Sequence, residues 1–359
     1  METPFVNRLR HVLRIHFHAD LGTPYWLEKQ RELGIQAVKS IRSVEDLAVL
    51  GPMDERALAE QSIEDFIPRV FHEHDDYLIA ETAGTLGKPK TAVHRADEFE
   101  TAFVVPFIKA ARRAGFPQGG HWLFVGPTGP HIIGRAARRC ARALGAGDAF
   151  TVDFDPRWAK RLIAGSFAAQ RYLNHIEEQA LRILEIQNIS VLFATPAVLT
   201  GLAEKTGESK RLAIRGIHLG GMHASAEFMD RMSGSFPNAV ILSGYGNTLF
   251  GMIPQLSYQR DTGFDYYPHG DRLVVRLVPI CEDGGQPDLT ARVEYGQRGQ
   301  VMVHRLDEMQ LLVNVLERDS AVRIEPAGGD AEAEGFVQEG LRDPLPIMSD
   351  TIKPVIGLY

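Results

Sequence analysis

Cysteine is scarce in this chain of 359 residues, and its two examples, Cys140 and Cys281, stand far apart. That is too few for a disulfide framework and the wrong spacing for a zinc site, and it fits a reducing compartment. Long apolar runs are also lacking. The N-terminal stretch is broken by Arg8, Arg10, His11, Arg14, His16 and His18. No stretch reaches the roughly 18 consecutive apolar residues of a membrane-spanning helix. Positive charge is in deficit, with 39 Lys and Arg against 46 Asp and Glu and a formal charge of −7. That balance argues against a nucleic-acid partner. The expectation is a soluble, cytoplasmic protein with neither nucleic acid nor membrane as its partner.

Hydrophobic residues make up 44% of the chain, enough to bury a large core. Between positions 120 and 250 one pattern repeats: a short apolar run, a turn of Gly, Pro, Ser or Thr, then a helical stretch. Leu123 to Val125 leads into Gly126-Pro127-Thr128-Gly129-Pro130 and a helix over His131 to Leu144. Val191 to Phe193 leads into Thr195-Pro196, Ile217 to Leu219 into Gly220-Gly221, and Val240 to Leu242 into Ser243-Gly244-Tyr245-Gly246. A long helix is expected over Gly165 to Gln187, with Leu173, Ile176, Ala180, Ile183 and Leu184 as its apolar stripe and a solvated charged face. Strands alternating with helices predict an α/β fold of doubly wound mixed sheets flanked by helices. After position 265 the runs Arg272 to Ile280, Gly299 to Leu306 and Leu311 to Leu316 alternate with turns. They predict a small antiparallel, barrel-like subdomain. The expected division is 1–265 as an α/β core, 266–335 as the β-rich part, and 336–359 as a hinge remnant and tail, with no separate C-terminal domain. Glu325 to Gly335 reads as a loop.

The segment Thr82-Ala83-Gly84-Thr85-Leu86-Gly87-Lys88-Pro89-Lys90 combines what a triphosphate needs. Glycines let backbone N–H groups approach an anion, threonines add hydroxyl donors, and lysines add charge. It lacks the glycine spacing and terminal Lys-Ser/Thr of a Walker A loop. An ordinary Gly/Lys surface turn is the alternative reading. The segment resembles the T-S-G-T-T-G-K-P-K signature of the adenylate-forming superfamily, which includes acyl-CoA synthetases, luciferase and adenylation domains. Ala83 and Leu86 depart from it, each replacing a hydroxyl.

Further segments follow in that family's order. Thr195-Pro196 resembles the T-P-S segment of phenylacetate-CoA ligase-like members, and Gly220-Gly221-Met222 their turn beside adenine. Ser243-Gly244-Tyr245-Gly246-Asn247-Thr248 resembles the Y-G-x-T-E motif. The resemblance implies that Tyr245 stacks on adenine and that Thr248 approaches the α-phosphate. Gly296 to Val303 is similar to the G-E-x-G-E-L-V-V strand entry, and Arg318-Asp319 to the motif whose aspartate holds the ribose hydroxyls. Taken singly, Tyr245 also reads as a core aromatic, Thr195-Pro196 as a plain turn and Asp319 as a strand-end acid.

Two departures matter. Leu249 stands where the family's magnesium-binding glutamate belongs, so magnesium is expected to be held weakly. Leu249→Glu is accordingly expected to restore metal dependence. Only forty residues follow Asp319, so the family's lid domain and its lysine are not expected, and Lys353, the sole lysine of the tail, is the catalytic candidate to replace it. The resemblance implies an acid pocket formed by Phe124, Gly126, Pro127, Thr128, Gly129, His131, Ile132, Ala194, Met222 and His223, suited to a flat aromatic acid. Core packing is the other reading of these positions. The implied activity is ATP-dependent conversion of a carboxylic acid, such as a phenazine carboxylate of antibiotic biosynthesis, to an acyl-adenylate. The acyl group would pass to a reductase, an amine or a carrier protein. A degenerate binder of nucleotide or aromatic acid, or a half-enzyme needing a lid-supplying partner, are the alternatives. A homodimer is left open.

Overall fold

A computed structural model of the chain describes residues 4–73, 76–84, 87–163, 165–281 and 285–347. Thr85, Leu86 and Lys353 therefore lie outside the described residues. Two strands, β1 (Tyr77–Glu81) and β2 (Thr91–Arg95), form a separate antiparallel hairpin. The other strands are β3 (His121–Val125), β4 (Phe150–Val152), β5 (Ile189–Ala194), β6 (Gly216–Leu219), β7 (Val240–Asn247), β8 (Gly251–Gln259), β9 (Gly263–Tyr266), β10 (Leu273–Val278), β11 (Arg298–Leu306), β12 (Leu311–Ile324) and β13 (Gly340–Pro346). They pair in the order β10-β11-β12-β13-β9-β8-β7-β6-β5-β3-β4.

Strands β4, β3, β5, β6 and the first half of β7 run parallel. They have helices as crossovers, and β6 is buried along its whole length. That is why each reads in sequence as a continuous apolar run rather than an alternation. Of the intervening helices, Ile132–Ala143 and Phe167–Ile186 lie within two residues of their expected bounds, and Pro196–Lys205 and Ala226–Ser235 follow the Thr195-Pro196 and Gly220-Gly221 segments. Their starts are encoded locally. Ser166 Oγ accepts from the Ala169 N–H, Ser225 Oγ accepts from the Phe228 N–H, and Pro196 opens its helix. On the long helix, Ile176, Ala180 and Leu184 are buried and His175 is exposed. Glu177, expected on the solvated face, is instead buried and paired with Lys205.

The antiparallel strands expected after position 265 are present and continue the same sheet. The stretch read as a hinge remnant begins as β13, paired with β12 and β9. The expected loop 325–335 contains a short helix, Gly329–Ala333, whose Ala331 packs with Phe336 and Tyr267.

Strand β7 joins the two halves. Val240 to Ser243 pair parallel with β6, and Gly244 to Asn247 pair antiparallel with β8. Sequence reading places Ser243 to Gly246 in a turn; they are strand. The chain turns instead after Asn247, and glycine makes that hairpin tight. Gly246 has φ +149°, and a Cβ there would lie 2.0 Å from the Gly251 carbonyl oxygen. Gly246→Ala is expected to destabilise the fold by about 2 kcal/mol, because backbone cannot move aside as a side chain can. Urea denaturation checks this; an unchanged midpoint would show that the hairpin adapts.

Candidate functional site

The hairpin β1–β2 carries the glycine-lysine loop at its turn. The base of the loop is closed twice: Thr82 N–H donates to the Lys90 carbonyl and Lys90 N–H donates to Thr82 Oγ1, both at 2.9 Å. The Thr82 hydroxyl proton is left for another acceptor. Gly84 adopts φ +60°, which glycine tolerates. Both lysines already have carboxylate partners from the preceding segment. Lys88 meets Glu60 at 2.9 Å in an exposed pair, and Lys90 meets Glu55. Burial lowers the Lys90 ammonium below its ordinary pKa, while the Glu317 carboxylate works the other way.

Glu81, just before the loop, is where several segments converge. Its carbonyl accepts from Thr248 Oγ1 at 3.4 Å and lies 3.2 Å from His131 Nδ1, and its N–H donates to the Pro130 carbonyl. Its carboxylate pairs with Arg157 at 3.3 Å. Thr248, His131 and the turn 126–130, all sequence-predicted positions, therefore meet at the foot of the glycine-lysine loop. Glu81 was not singled out from the sequence, because a strand-end glutamate carries no local signal of its role.

Across from the loop, Tyr245 on β7 donates its hydroxyl proton to Asp319 Oδ2 on β12 at 3.0 Å. Burial and the neighbouring Asp319 raise the Tyr245 phenol well above its usual pKa, so it remains a donor. Burial also raises Asp319, against the Tyr245 hydrogen bond. Asn247 donates from Nδ2 to Glu317 at 3.0 Å, and its Oδ1 accepts from the Leu249 N–H at 2.9 Å. Burial, then Asp319, raise the Glu317 carboxyl above its usual range, against Asn247 and Lys90. Glu317, unnoticed in the sequence, shares a face with Asp319 because strand side chains alternate. Ser243 hydrogen-bonds Tyr266 at 2.8 Å and takes the Gln255 side-chain oxygen on its N–H.

Three successive carbonyls after this motif are held by buried cationic or imidazole donors. His94 Nε2 donates to Thr248 at 3.1 Å, Arg305 to Leu249 at 2.9 Å and Arg272 to Phe250 at 2.7 Å. Both guanidinium groups converge on the Asp307 carboxylate, which is fully buried. The site is thus preorganised by charges far from it in sequence. Leu249 itself is 1% exposed and packs in the main core. Among the described residues no group of three or more His, Cys, Asp or Glu could hold a metal ion.

Among the positions expected to line an acid pocket, Phe124 is buried against Phe193, while the turn beyond it is ordered by Thr128 N–H donating to Asp153 at 2.7 Å. Gly129 has φ +40°, and a Cβ at Gly134 of the following helix would lie 2.9 Å from Thr128 Cα and 3.1 Å from the Pro127 carbonyl oxygen. Ile132 and His131 are buried at the start of that helix. Ala194 points to the opposite face and packs in the large core with Leu123 and Leu219. Gly221 takes φ +81° and Met222 is partly exposed beside it. His223 is drawn to Asp343 of β13, with Nε2 and Oδ1 3.0 Å apart.

No protein-family description matches the sequence, and no curated protein matches it either. Solved structures do. A 2-hydroxyisobutyryl-CoA ligase in an open conformation, in complex with 2-HIB-AMP and CoA, superposes with a TM-score of 0.68 at 15% identity over 97% of this chain and 70% of that one. The same ligase in its thioesterification state gives a TM-score of 0.64 at 15% identity over 94% and 65%. In its postadenylation state with R3-HIB-AMP it gives 0.65 at 14% identity, again over 94% and 65%. The chain thus spans about two-thirds of the length of the ligase it matches. Within that span, the protein has the mixed α/β fold of 2-hydroxyisobutyryl-CoA ligase.

Proposed function

We propose that this chain binds ATP and activates a carboxylic acid as an acyl-adenylate, releasing pyrophosphate. The observation that carries this reading is the placement of the Tyr245–Asp319 pair and Thr248 around the closed Thr82–Lys90 turn. In this reading adenine lies against Tyr245 beside Gly220 and Gly221, and Asp319 receives the ribose hydroxyls in exchange for the tyrosine proton. The triphosphate takes Lys90 from Glu55 and Lys88 from Glu60, and Thr248 donates to the α-phosphate. A carboxylate oxygen of the acid attacks the α-phosphorus, and the bond to the β-phosphate bridging oxygen breaks. The acid is aromatic, of the class of a phenazine carboxylate, and the acyl group passes to a reductase, an amine or a carrier. The fold, shared with a ligase crystallised with 2-HIB-AMP, supports the reaction class.

A second reading, a nucleotide- and acid-binding protein with little chemistry of its own, is favoured by one observation: Leu249 buries its side chain where a metal-holding carboxylate would be needed. Calorimetric titration with ATP tests the site common to both. Tyr245→Ala and Asp319→Ala are each expected to weaken binding by about 1–3 kcal/mol, for the lost ring stack and the lost hydrogen bonds to a charged group. Unchanged affinity in both variants would place the nucleotide elsewhere. Acid-dependent ATP–pyrophosphate exchange then separates activation from binding alone.

A further inference from the structure

Four residues one position short of where the parallel pairing ends form a continuous row across the sheet. Phe124 of β3 pairs with Phe193 of β5, Phe193 with His218 of β6, and His218 with Leu242 of β7. Their side chains share one face. Phe124 and Phe193 meet edge-on with centroids 5.1 Å apart, and Phe193 and His218 at 4.3 Å. Phe107, from the helix Val105–Arg113, closes on His218 at 4.7 Å.

Two residues further along the same face, just beyond the parallel pairing, stand Gly126, Thr195, Gly220 and Gly244, the last already paired antiparallel with β8. Three of these four positions have no side chain, and the rings lean into the room this leaves. A Cβ at Gly126 would fall 2.5 Å from the Phe124 ring, at Gly220 3.0 Å from Phe193, and at Gly244 3.4 Å from His218 Cε1. Carboxyl ends of parallel strands are where open α/β sheets bind ligands.

The fourth position is polar and unsatisfied. Thr195 is 3% exposed, and although it stands at a helix N-cap its Oγ1 has no hydrogen-bond partner. His218 is 5% exposed, and its Nδ1 has none either. Burial lowers the His218 pKa to about 4, against a hydrogen bond with the Leu242 backbone, so the imidazole is neutral. Buried polar groups are rarely left unpaired, and each orphan is costly. Two orphans on neighbouring strands, walled by aromatic rings, have the composition of a pocket that fixes a ligand by a few polar groups.

We propose that Thr195 Oγ1 and His218 Nδ1 are the specificity-determining groups of the acid site, which takes a planar aromatic carboxylic acid carrying a ring hydroxyl or ring nitrogen. The inference rests on the acid-activating reading above, and it adds two residues that the sequence analysis did not place in the pocket as hydrogen-bonding groups.

The test is calorimetric titration of the full chain with benzoate and naphthoate and their monohydroxy and ring-aza counterparts, in parallel with ATP. At least one heteroatom-bearing acid is expected to bind about ten-fold or more tighter than its all-carbon parent, the effect of a buried hydrogen bond. His218→Phe and Thr195→Val should each reduce that advantage about ten-fold, leaving the affinities for the parent acid and for ATP unchanged. Thr195→Val conserves shape and keeps the test decisive if His218→Phe does not fold. Equal affinity for parent and heteroatom acids overturns the proposal, as does a preference that survives both substitutions. So does failure of every acid to bind while ATP binds. An acid preference that depends on these residues in a chain that does not bind ATP upholds this site and overturns the acyl-adenylate reading instead.

Discussion

Asp307→Ala is expected to destabilise the chain by about 3–5 kcal/mol, the cost of leaving buried charge without its partner. Asp307 is the single carboxylate between Arg272 and Arg305, and all three side chains are almost completely buried. Its removal leaves the Arg272 guanidinium without a carboxylate in the core and Arg305 with only the more distant Glu98, at 3.9 Å. It also loosens the grip of Arg305 and Arg272 on the Leu249 and Phe250 carbonyls. The N-terminal helix Pro4–His16 is anchored at the same place, through Arg8 to Asp307 and His16 to its carbonyl. Urea denaturation of the variant should therefore report loss of the whole fold and not local fraying. The acid dependence follows from the same pair. Burial opposes ionisation of Asp307, yet the two arginines hold its carboxyl well below the ordinary range. A depressed folded pKa gives stability that is complete above the unfolded value, about 3.9, and lost as pH falls below it. Asp307→Asn should lack that part of the acid sensitivity. A variant within about 1 kcal/mol of the wild type would show that the arginines find other partners.

Leu249→Glu is expected to cost at least about 3 kcal/mol at neutral pH. Its terms are the apolar burial of a leucine, worth about 1.5–3 kcal/mol, and the penalty for placing a carboxylate in the core. This reverses the expectation drawn from the motif, in which glutamate at 249 restores magnesium dependence. The side chain at 249 is 1% exposed and packs inward, because Asn247 Oδ1 and Arg305 hold the backbone N–H and C=O on either side of it. The introduced carboxyl would titrate above its ordinary range, so the destabilisation should shrink as pH falls towards 5. Denaturation at two pH values, together with magnesium titration in the presence of ATP, checks both parts. A variant as stable as the wild type that also binds magnesium more tightly would show that residue 249 can turn toward the nucleotide.

How much of this was legible follows from the range of each interaction. Local signals carried far. The apolar runs ending at Val125, Phe193 and Leu219 became strands, and the caps Ser166 and Ser225 began helices near their expected places, since these preferences act within a few residues. The order of glycine, threonine and lysine from Thr82 to Lys90 marked a turn suited to phosphate, and that turn closes on itself through Thr82 and Lys90. The motif at Tyr245 was legible as residues but not as strand. Nothing near Ser243 announces that β7 changes from a parallel to an antiparallel partner there.

What only the tertiary structure decided lies in contacts between distant segments. Composition shows Arg272, Arg305 and Asp307 as ordinary charges, and the fold buries them together under the site. Glu81, Glu317 and His218 lacked a local signature for the same reason: each has its surroundings set by a neighbour from another strand or loop. Periodicity and turn chemistry report on a residue's own surroundings along the chain, so the sequence by itself determined the sheet-and-helix plan and the glycine-lysine turn between β1 and β2. Charge pairing, burial and unsatisfied polar atoms depend on which strands become neighbours, and that was settled only by folding.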